Sequence, residues 1–313
     1  MKFECKACGK VFDSERSLHA HIKVHGLRVV SYYQKYYPRY DLHDGSIIKF
    51  KSKDQYFSQD FNNRTNKRKR IKAQDKSGAQ KYLKNLLKER IESRDISFSP
   101  CQVELRSLLI PSIVFYEKFF DDYYKLCQEI GLENKYKKAK ELIVANGYSE
   151  EENLEIFIDT REQMPLDFNF PSKVRTLKYG DYALSDKDVT CNCYIERKSL
   201  ADFISTISVA NHDRFCREIE RAKEDNANLI ILVEDTLSHA LSFPFLPYIS
   251  KKIKVTPEFI FHKVRRMIQN YNHIQFLFVK DREEASRVTE KIFFSKCVYK
   301  DIDLQLAYDK GIL

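Results

Sequence analysis

Four residues in the second half of the chain have the types and spacing for phosphoester chemistry: Asp159, Asp181, Glu196 and Lys198. Glu196 and Lys198 close the apolar run "CYIERK". Residues two apart in a strand share a face, so these two project together while Arg197 points the other way. Gly180-Asp181 opens the first arm of a hairpin in "KYGDYALSDKDVTCNCYIERK", placing Asp181 on the neighbouring arm, and "LEIFIDTRE" ends a further strand at Asp159. Three carboxylates and one ammonium at a sheet edge suit a hard divalent cation, Mg2+ or Mn2+. Such an ion polarises a phosphodiester and lowers the pKa of a bound water, while the lysine can orient that water or neutralise charge developing at phosphorus. An acid-x-Lys pair by itself is ordinary surface; the whole set is more specific.

The elements that must position these groups are legible. From Leu154 onward short strands alternate with amphipathic helices, the pattern of an α/β domain. "SLADFISTI" and "HDRFCREIERAKE" read as helices, "LIILVE" as a buried strand, "TPEFIFHKVRRMIQNY" as a capped helix, "IQFLFV" as a strand and "REEASRVTEKIF" as a last helix.

A strand ending Asp-x-Arg-Glu, then Gly-Asp, then Glu-Arg-Lys-x3-Asp resembles the XPF-type nuclease domain over about residues 154 to 295. The resemblance continues in "RFCREIERA", where that family has an Arg-rich helix, and in "LIILVE" ending at Glu234. It implies a restriction-endonuclease-like fold, a mixed sheet flanked by helices, and cutting of DNA at branches, flaps and related junctions. It also implies that Asp181 and Glu196 bind the metal with the Arg197 carbonyl, that Asp159 completes the site directly or through water, and that Lys198 assists the nucleophilic water. Arg161, Glu162, Arg197 and Asp202 then form the supporting shell, with Arg214 beside it. The intact acids and lysine argue against an inactive scaffold subunit. Two departures stand out: no tandem helix-hairpin-helix module is expected before Leu313, and Glu218 stands where the family often has Gln. The first leaves DNA to be held by other parts of the chain, and weakens the family's usual homodimer or heterodimer through the nuclease domain.

The N-terminus carries a second ligand set. "FECKACGKVFDSERSLHAHIKVH" reads Cys5-x2-Cys8-x12-His21-x3-His25, with Phe3, Phe12 and Leu18 as a small core. Two thiolates and two imidazoles one turn apart can close a tetrahedron around Zn2+, and the match resembles a Cys2His2 zinc finger of ββα form. By that resemblance the base-facing helix positions are Ser14, Ser17 and Ala20, none able to make the bidentate guanine contact of arginine, with Arg16 and His19 nearby. Phosphate contact or partner docking is as good a reading as base readout.

Between these parts, residues 27 to 61 are rich in Tyr and Phe, with Asp44-Gly45 in "DLHDGSIIKFK" suggesting a hairpin. The aromatics read as a small core rather than a base-stacking surface. Residues 62 to 90 hold 11 Lys or Arg against Asp75 and Glu89, a local net of +9 that equals the +9 of the whole chain. Such a stripe, including Arg64, Lys67, Arg68, Lys69, Arg70 and Lys72, is the footprint of polyanion binding, although a solvated helix face or localisation signal has the same composition. Helices are expected at "AQKYLKNLLKERI", after Ser99-Pro100, from Ser112 through "IVFYEKFFDDYYKLCQEIGL", and from about 135 to Asn146-Gly147.

The longest aliphatic run, "LIILV", is too short for a membrane span, and two cysteines interrupt the N-terminus before a secretory signal could form. A soluble intracellular protein is expected. The expected layout is a zinc finger at 1–26, an aromatic connector at 27–61, a basic helical DNA-binding region at 62–150 and a nuclease domain at 151–313. The expected function is metal-dependent DNA endonuclease, structure-selective or site-specific as in mobile elements. The competing readings are a zinc-finger DNA-binding regulator or scaffold with an inactive nuclease-like domain, and an enzyme acting on RNA.

Overall fold

The computed structural model describes residues 2–38, 52–53, 76–94, 96–109, 111–138, 154–186, 189–250, 253–295 and 298–313. It divides into two compact units, Met1–Glu89 with Ile110–Phe119, and Arg90–Leu109 with Phe120–Leu313.

In the first unit, β1 (Phe3–Glu4) and β2 (Val11–Phe12) pair antiparallel and precede α1 (Glu15–Ile22), the ββα order. Ser14 caps α1 by accepting from the Ser17 N–H at 3.1 Å, which satisfies one of the donors a helix start leaves open. The small core does not end with the histidines. Helix α2 (Val29–Tyr36) adds Tyr32 and Tyr33 to Cys5, Leu18 and Ile22, and the Tyr32 hydroxyl accepts from the Lys6 N–H at 2.8 Å. The tyrosines at 32 and 33 are thus core residues. Helix α3 (Lys76–Glu92) buries Ala79, Leu83, Leu86 and Leu87, the three-to-four spacing read from the sequence. The expected hairpin around Asp44-Gly45 lies outside the described residues.

The second unit is built on a six-stranded mixed sheet in the order β4-β3-β5-β6-β7-β8. The strands are β3 (Leu154–Asp159), β4 (Ser172–Arg175), β5 (Tyr182–Asp186), β6 (Val189–Lys198), β7 (Asn228–Glu234) and β8 (Ile274–Val279). β5 and β6 form the expected antiparallel hairpin, and β6, β7 and β8 run parallel, with Lys198 level with Val233 and Glu234 level with Val279. Alternation sorts the side chains into two layers. Ile156, Ile158, Tyr182, Leu184, Ile195, Ile230, Leu232 and Leu277 share one core with helix Arg282–Phe294 and the C-terminal segment. On the other face, Phe203 of α5 (Leu200–Ile207) meets Phe276 and Phe278, with ring centroids 6.2 and 5.3 Å apart, and Phe261 lies behind. The sequence pattern and the structure agree here: a mixed sheet flanked by helices.

Three expectations for the middle of the chain need correction. The helix expected to run unbroken from Ser112 is two, the single turn Ile113–Tyr116 and α4 (Tyr123–Glu129), because Asp122 accepts from the Tyr124 and Lys125 N–H groups and so starts a new helix. The helix expected to start at Ser99-Pro100 starts at Gln102 instead, with Cys101 as its cap, and continues in a wider coil through Leu109. No helix begins at 135: Lys137 makes a parallel bridge to Ile302, and residues 139–153 lie outside the described set.

The far edge of the sheet is closed by a side chain. Gln305, on the short helix Leu304–Asp309, accepts from the Phe278 N–H at 2.8 Å and donates to the Phe278 carbonyl at 3.3 Å. One primary amide thereby takes the place of a neighbouring strand on β8.

Candidate active site

The Gly-Asp pair has a steric cause. Gly180 sits at φ +60, and a Cβ there would lie 2.7 Å from the Ile195 carbonyl oxygen. Only glycine lets the start of β5 lie this close to β6. The close approach allows the Asp181 N–H to donate to the Ile195 carbonyl at 2.8 Å and the Arg197 N–H to donate to Asp181 Oδ2 at 2.7 Å. Asp181 is therefore held against the peptide that joins Glu196 to Arg197.

Along β6, Glu196 and Lys198 take the face that carries α5 and α6 (Val209–Glu224), and Arg197 takes the other. Lys198 Nζ donates to Glu196 Oε1 at 2.7 Å and stands 5.7 Å from the centre of the Phe215 ring. Burial, and then the neighbouring Glu196 and Glu162 charges, raise the Asp181 pKa to about 7 against the opposing Arg197 N–H bond and Lys198 charge. Two crowded carboxylates beside one ammonium form a place where a cation is favourable. Glu196 and Lys198 line a cleft of about 290 Å³ together with Arg214, Asn211, Phe215 and Glu218. Glu218 was notable in the sequence only as a departure from a family pattern. Burial and the Glu196 charge push its pKa upward, so it is a further carboxylate of this cleft.

Arg197 is a strut. Its guanidinium donates to Glu162 at 3.0 and 3.3 Å, to Glu234 at 3.0 Å and to the Met164 carbonyl at 3.1 Å. Burial opposes its charge, but the two carboxylates outweigh it and raise the Arg197 pKa above its ordinary value. Glu234, at the end of β7, thus belongs to the support of the site; the sequence pointed to it only as the end of a strand.

Two residues do not join the cluster. Asp159 is 1% exposed and accepts four hydrogen bonds, from the Arg161 N–H, Nε and Nη2 and from the Leu177 N–H, at 2.6 to 3.1 Å. These four bonds occupy the roughly four acceptor positions of the carboxylate. Burial pushes its pKa up, yet Arg161 and the backbone donors hold it below the usual range. In the structure Asp159 joins the end of β3 to the loop before β5. Asp202 is likewise turned away: it is exposed, accepts from Ser199 Oγ at 2.7 Å, and forms part of the cap of α5. Arg161, bonded to Asp159, is near enough to Glu218 and Asp181 for their charges to raise its pKa.

At the N-terminus, Cys5, Cys8, His21 and His25 bring one ligand atom each to within 4.8 Å of the others. Cys8 Sγ is 3.2 Å from His21 Nε2, Cys5 Sγ is 3.6 Å from His25 Nε2, and the two Nε2 atoms are 3.1 Å apart. Tetrahedral bonds of ~2.3 Å to sulfur and ~2.0 Å to nitrogen give edges of roughly 3.3 to 3.8 Å, so the set fits a metal ion. Among the described residues this is the one His/Cys/Asp/Glu group whose ligand atoms come together in this way. Ser14 and Ser17 are bonded to each other at 2.8 Å, and Arg16 is exposed on α1. Arg64, Lys67, Arg68, Lys69, Arg70 and Lys72 lie outside the described residues.

The segment that builds the cleft also has a relative. Residues 158–292 match the ERCC4 domain. The match runs from the end of β3 to the last turns of the helix after β8, so the ERCC4 segment holds the whole cleft and both strand ends that brace Arg197. A solved structure, XPF from Aeropyrum pernix, is similar at 17% identity and a TM-score of 0.34, covering 44% of this chain and 64% of that one. This chain therefore spans less than two thirds of that chain's length. No curated protein matches the sequence. Among the described residues no helix is long and apolar enough to cross a membrane.

Proposed function

We propose that the second unit is a divalent-metal-dependent DNA endonuclease. The observation that carries this reading is that Glu196 and Lys198 line one cleft while Asp181 is bonded to the Arg197 N–H beside them, within a segment that matches the ERCC4 domain. Asp181 and Glu196, with the Arg197 carbonyl, would hold Mg2+ or Mn2+. When bound, such an ion supplies Lewis-acid polarisation of a phosphodiester and a water acidified toward neutral pH. Lys198 is anchored by Glu196 and packed against Phe215, so its ammonium is placed to orient the nucleophile or offset charge at phosphorus. Arg214 on the cleft wall is a phosphate contact, Arg197 with Glu162 and Glu234 fixes the β6 end, and the Asp159–Arg161 pair fixes the β3 end.

The same proposal assigns Zn2+ to Cys5, Cys8, His21 and His25, and DNA phosphate contact to Arg16 and to the stripe of Arg64, Lys67, Arg68, Lys69, Arg70 and Lys72. Those contacts make binding steeply salt-dependent, because each neutralised phosphate releases counterions. Pairing of two nuclease units, in a homodimer or heterodimer, belongs to this reading. The substrate is branched DNA or a specific duplex site.

The test is Mg2+-dependent cleavage of plasmid, linear duplex, branched DNA and RNA by wild type beside Lys198→Ala and Asp181→Ala. Cutting of branched DNA or discrete cutting of duplex, lost in both variants while DNA binding persists, supports the proposal and chooses between its substrates. Binding without any cutting by folded, metal-loaded wild type favours a DNA-binding scaffold instead, and cutting of RNA alone removes DNA as substrate.

A further inference from the structure

A second cavity, of about 500 Å³, lies along the C-terminal half of helix α7 (Pro257–Asn270). Its wall includes Arg94, His262, Arg265, Arg266 and Asn270. Helix α7 ends just before β8 begins, whereas Glu196 and Lys198 lie at the other ends of the parallel strands. With six residues in β8, that separation is about 20 Å. The cavity is distinct from the acidic cleft.

Its charge is unbalanced. Among the described residues of the wall the one acid is Glu104, whose carboxylate already accepts from the Cys101 N–H at 2.9 Å and from Gln269 Nε2 at 2.8 Å. Arg265 is only 8% exposed, yet its guanidinium has the neutral Ser107 hydroxyl as hydrogen-bond partner, at 3.2 Å, and no carboxylate within ion-pair distance among the described residues. Burial and then the nearby Arg94 push the Arg265 pKa down to about 10, with Glu104 opposing. A buried guanidinium without an anion is costly, and the Arg266 guanidinium at the same wall adds to the cost. The arrangement is relieved by an anionic ligand. The guanidinium fork matches phosphate in two parallel hydrogen bonds, and the volume suits a small ligand or the end of a polymer.

We propose that this cavity binds a phosphate monoester, either the terminal phosphate of a nucleic-acid strand or a free mononucleotide. The monoester is preferred to an internal diester because its two charges better match the Arg265 and Arg266 guanidiniums facing a single acid that is already hydrogen-bonded. The assignment stands independently of the cleavage reading, although hydrolysis of a phosphodiester would generate such an end.

The test is calorimetric titration of the full chain in the Lys198→Ala background, with inorganic phosphate, with dAMP, and with one oligonucleotide carrying either a 5′-phosphate or a 5′-hydroxyl. Arg266→Gln, at an exposed position, is expected to weaken phosphate and dAMP binding on the order of tenfold. Arg265→Met is expected to abolish it while raising the thermal midpoint of the ligand-free protein, which loss of a merely structural arginine would lower. A severalfold preference for the 5′-phosphorylated strand, lost in both variants, identifies strand ends as the source. Tight dAMP binding without that preference identifies a free nucleotide. Phosphate binding no better than chloride at equal ionic strength, or binding unchanged in both variants, overturns the proposal. Because Arg265 and Arg266 lie outside the cleft and cutting is assayed separately in chains that keep Lys198, failure here is distinguishable from failure of the nuclease reading.

Discussion

Gly180→Ala is the most informative single change in this chain. The new methyl would sit 2.7 Å from the Ile195 carbonyl oxygen and 3.0 Å from its carbon, both backbone atoms of β6, where ordinary contact begins at 3.4 Å. The hairpin would have to open by roughly the difference, since neither atom can rotate away. A left-handed φ costs a non-glycine residue ~1–2 kcal/mol. Forced overpacking adds ~1–3 kcal/mol, for a total of about 2–5 kcal/mol. The same opening stretches the Asp181 N–H bond to Ile195 and the Arg197 N–H bond to Asp181, now 2.8 and 2.7 Å. Misplacement of a catalytic group by ~1 Å can reduce rate about a hundredfold. Denaturant unfolding and Mg2+-dependent cleavage, measured on the same preparation, should both fall. Gly311→Ala is the control: its φ is +68 but nothing lies within 4 Å of the new methyl, so about 1–2 kcal/mol of strain and unchanged cleavage are expected. If Gly180→Ala behaves like Gly311→Ala in both assays, the close approach of β5 to β6 does not position Asp181 and the reasoning fails.

Two further outcomes follow from the two clusters. The Asp181 pKa of about 7 exceeds that of an unfolded aspartate, so the folded state binds the proton more tightly and stability falls as pH rises from about 4 to 7. In Mg2+-free buffer Asp181→Asn should therefore melt above wild type at pH 8, by a few degrees, with the gap closing at pH 4, while cleavage is lost; a variant that melts lower at pH 8 would contradict the assignment. Chelation of zinc, or Cys8→Ser, should release amide-exchange protection from residues 3–36 and leave the β3–β8 sheet protected, because Tyr32 ties α2 to the Lys6 N–H next to the ligand turn. Retained protection in α2 would show that its packing does not depend on the metal.

How far the sequence reached depended on the range of the interactions involved. The hairpin, the shared face of Glu196 and Lys198 and the opposite aim of Arg197 follow from a period of two and were legible. The role of Asp159 was not, because "IDTRE" does not say which acid turns back on its own loop; the Arg161 fork and the Leu177 N–H, from 18 residues away, decide it. Likewise Asp122 looked like one of several charges inside a helix until its side chain was seen to bond the Tyr124 and Lys125 N–H groups and start a new one. β4 escaped notice because "SKVR" is exposed at all four positions, and an edge strand with no buried face leaves no alternation to read. The arginine-lined cavity escaped for a related reason: Arg94 and Arg265 are far apart in sequence, and a cluster of like charges has no local spacing signature.

The amide of Gln305 has a consequence beyond local stability. A sheet with a bare edge is a template on which any extended chain can crystallise, and each added strand presents a fresh edge to the next. Here the end at β8 is plugged by a group too short to propagate the ladder, while the end at β4 carries Lys173 and Arg175 on a strand of four residues. Growth by strand addition is thus blocked at Phe278 on one edge and discouraged by charge on the other.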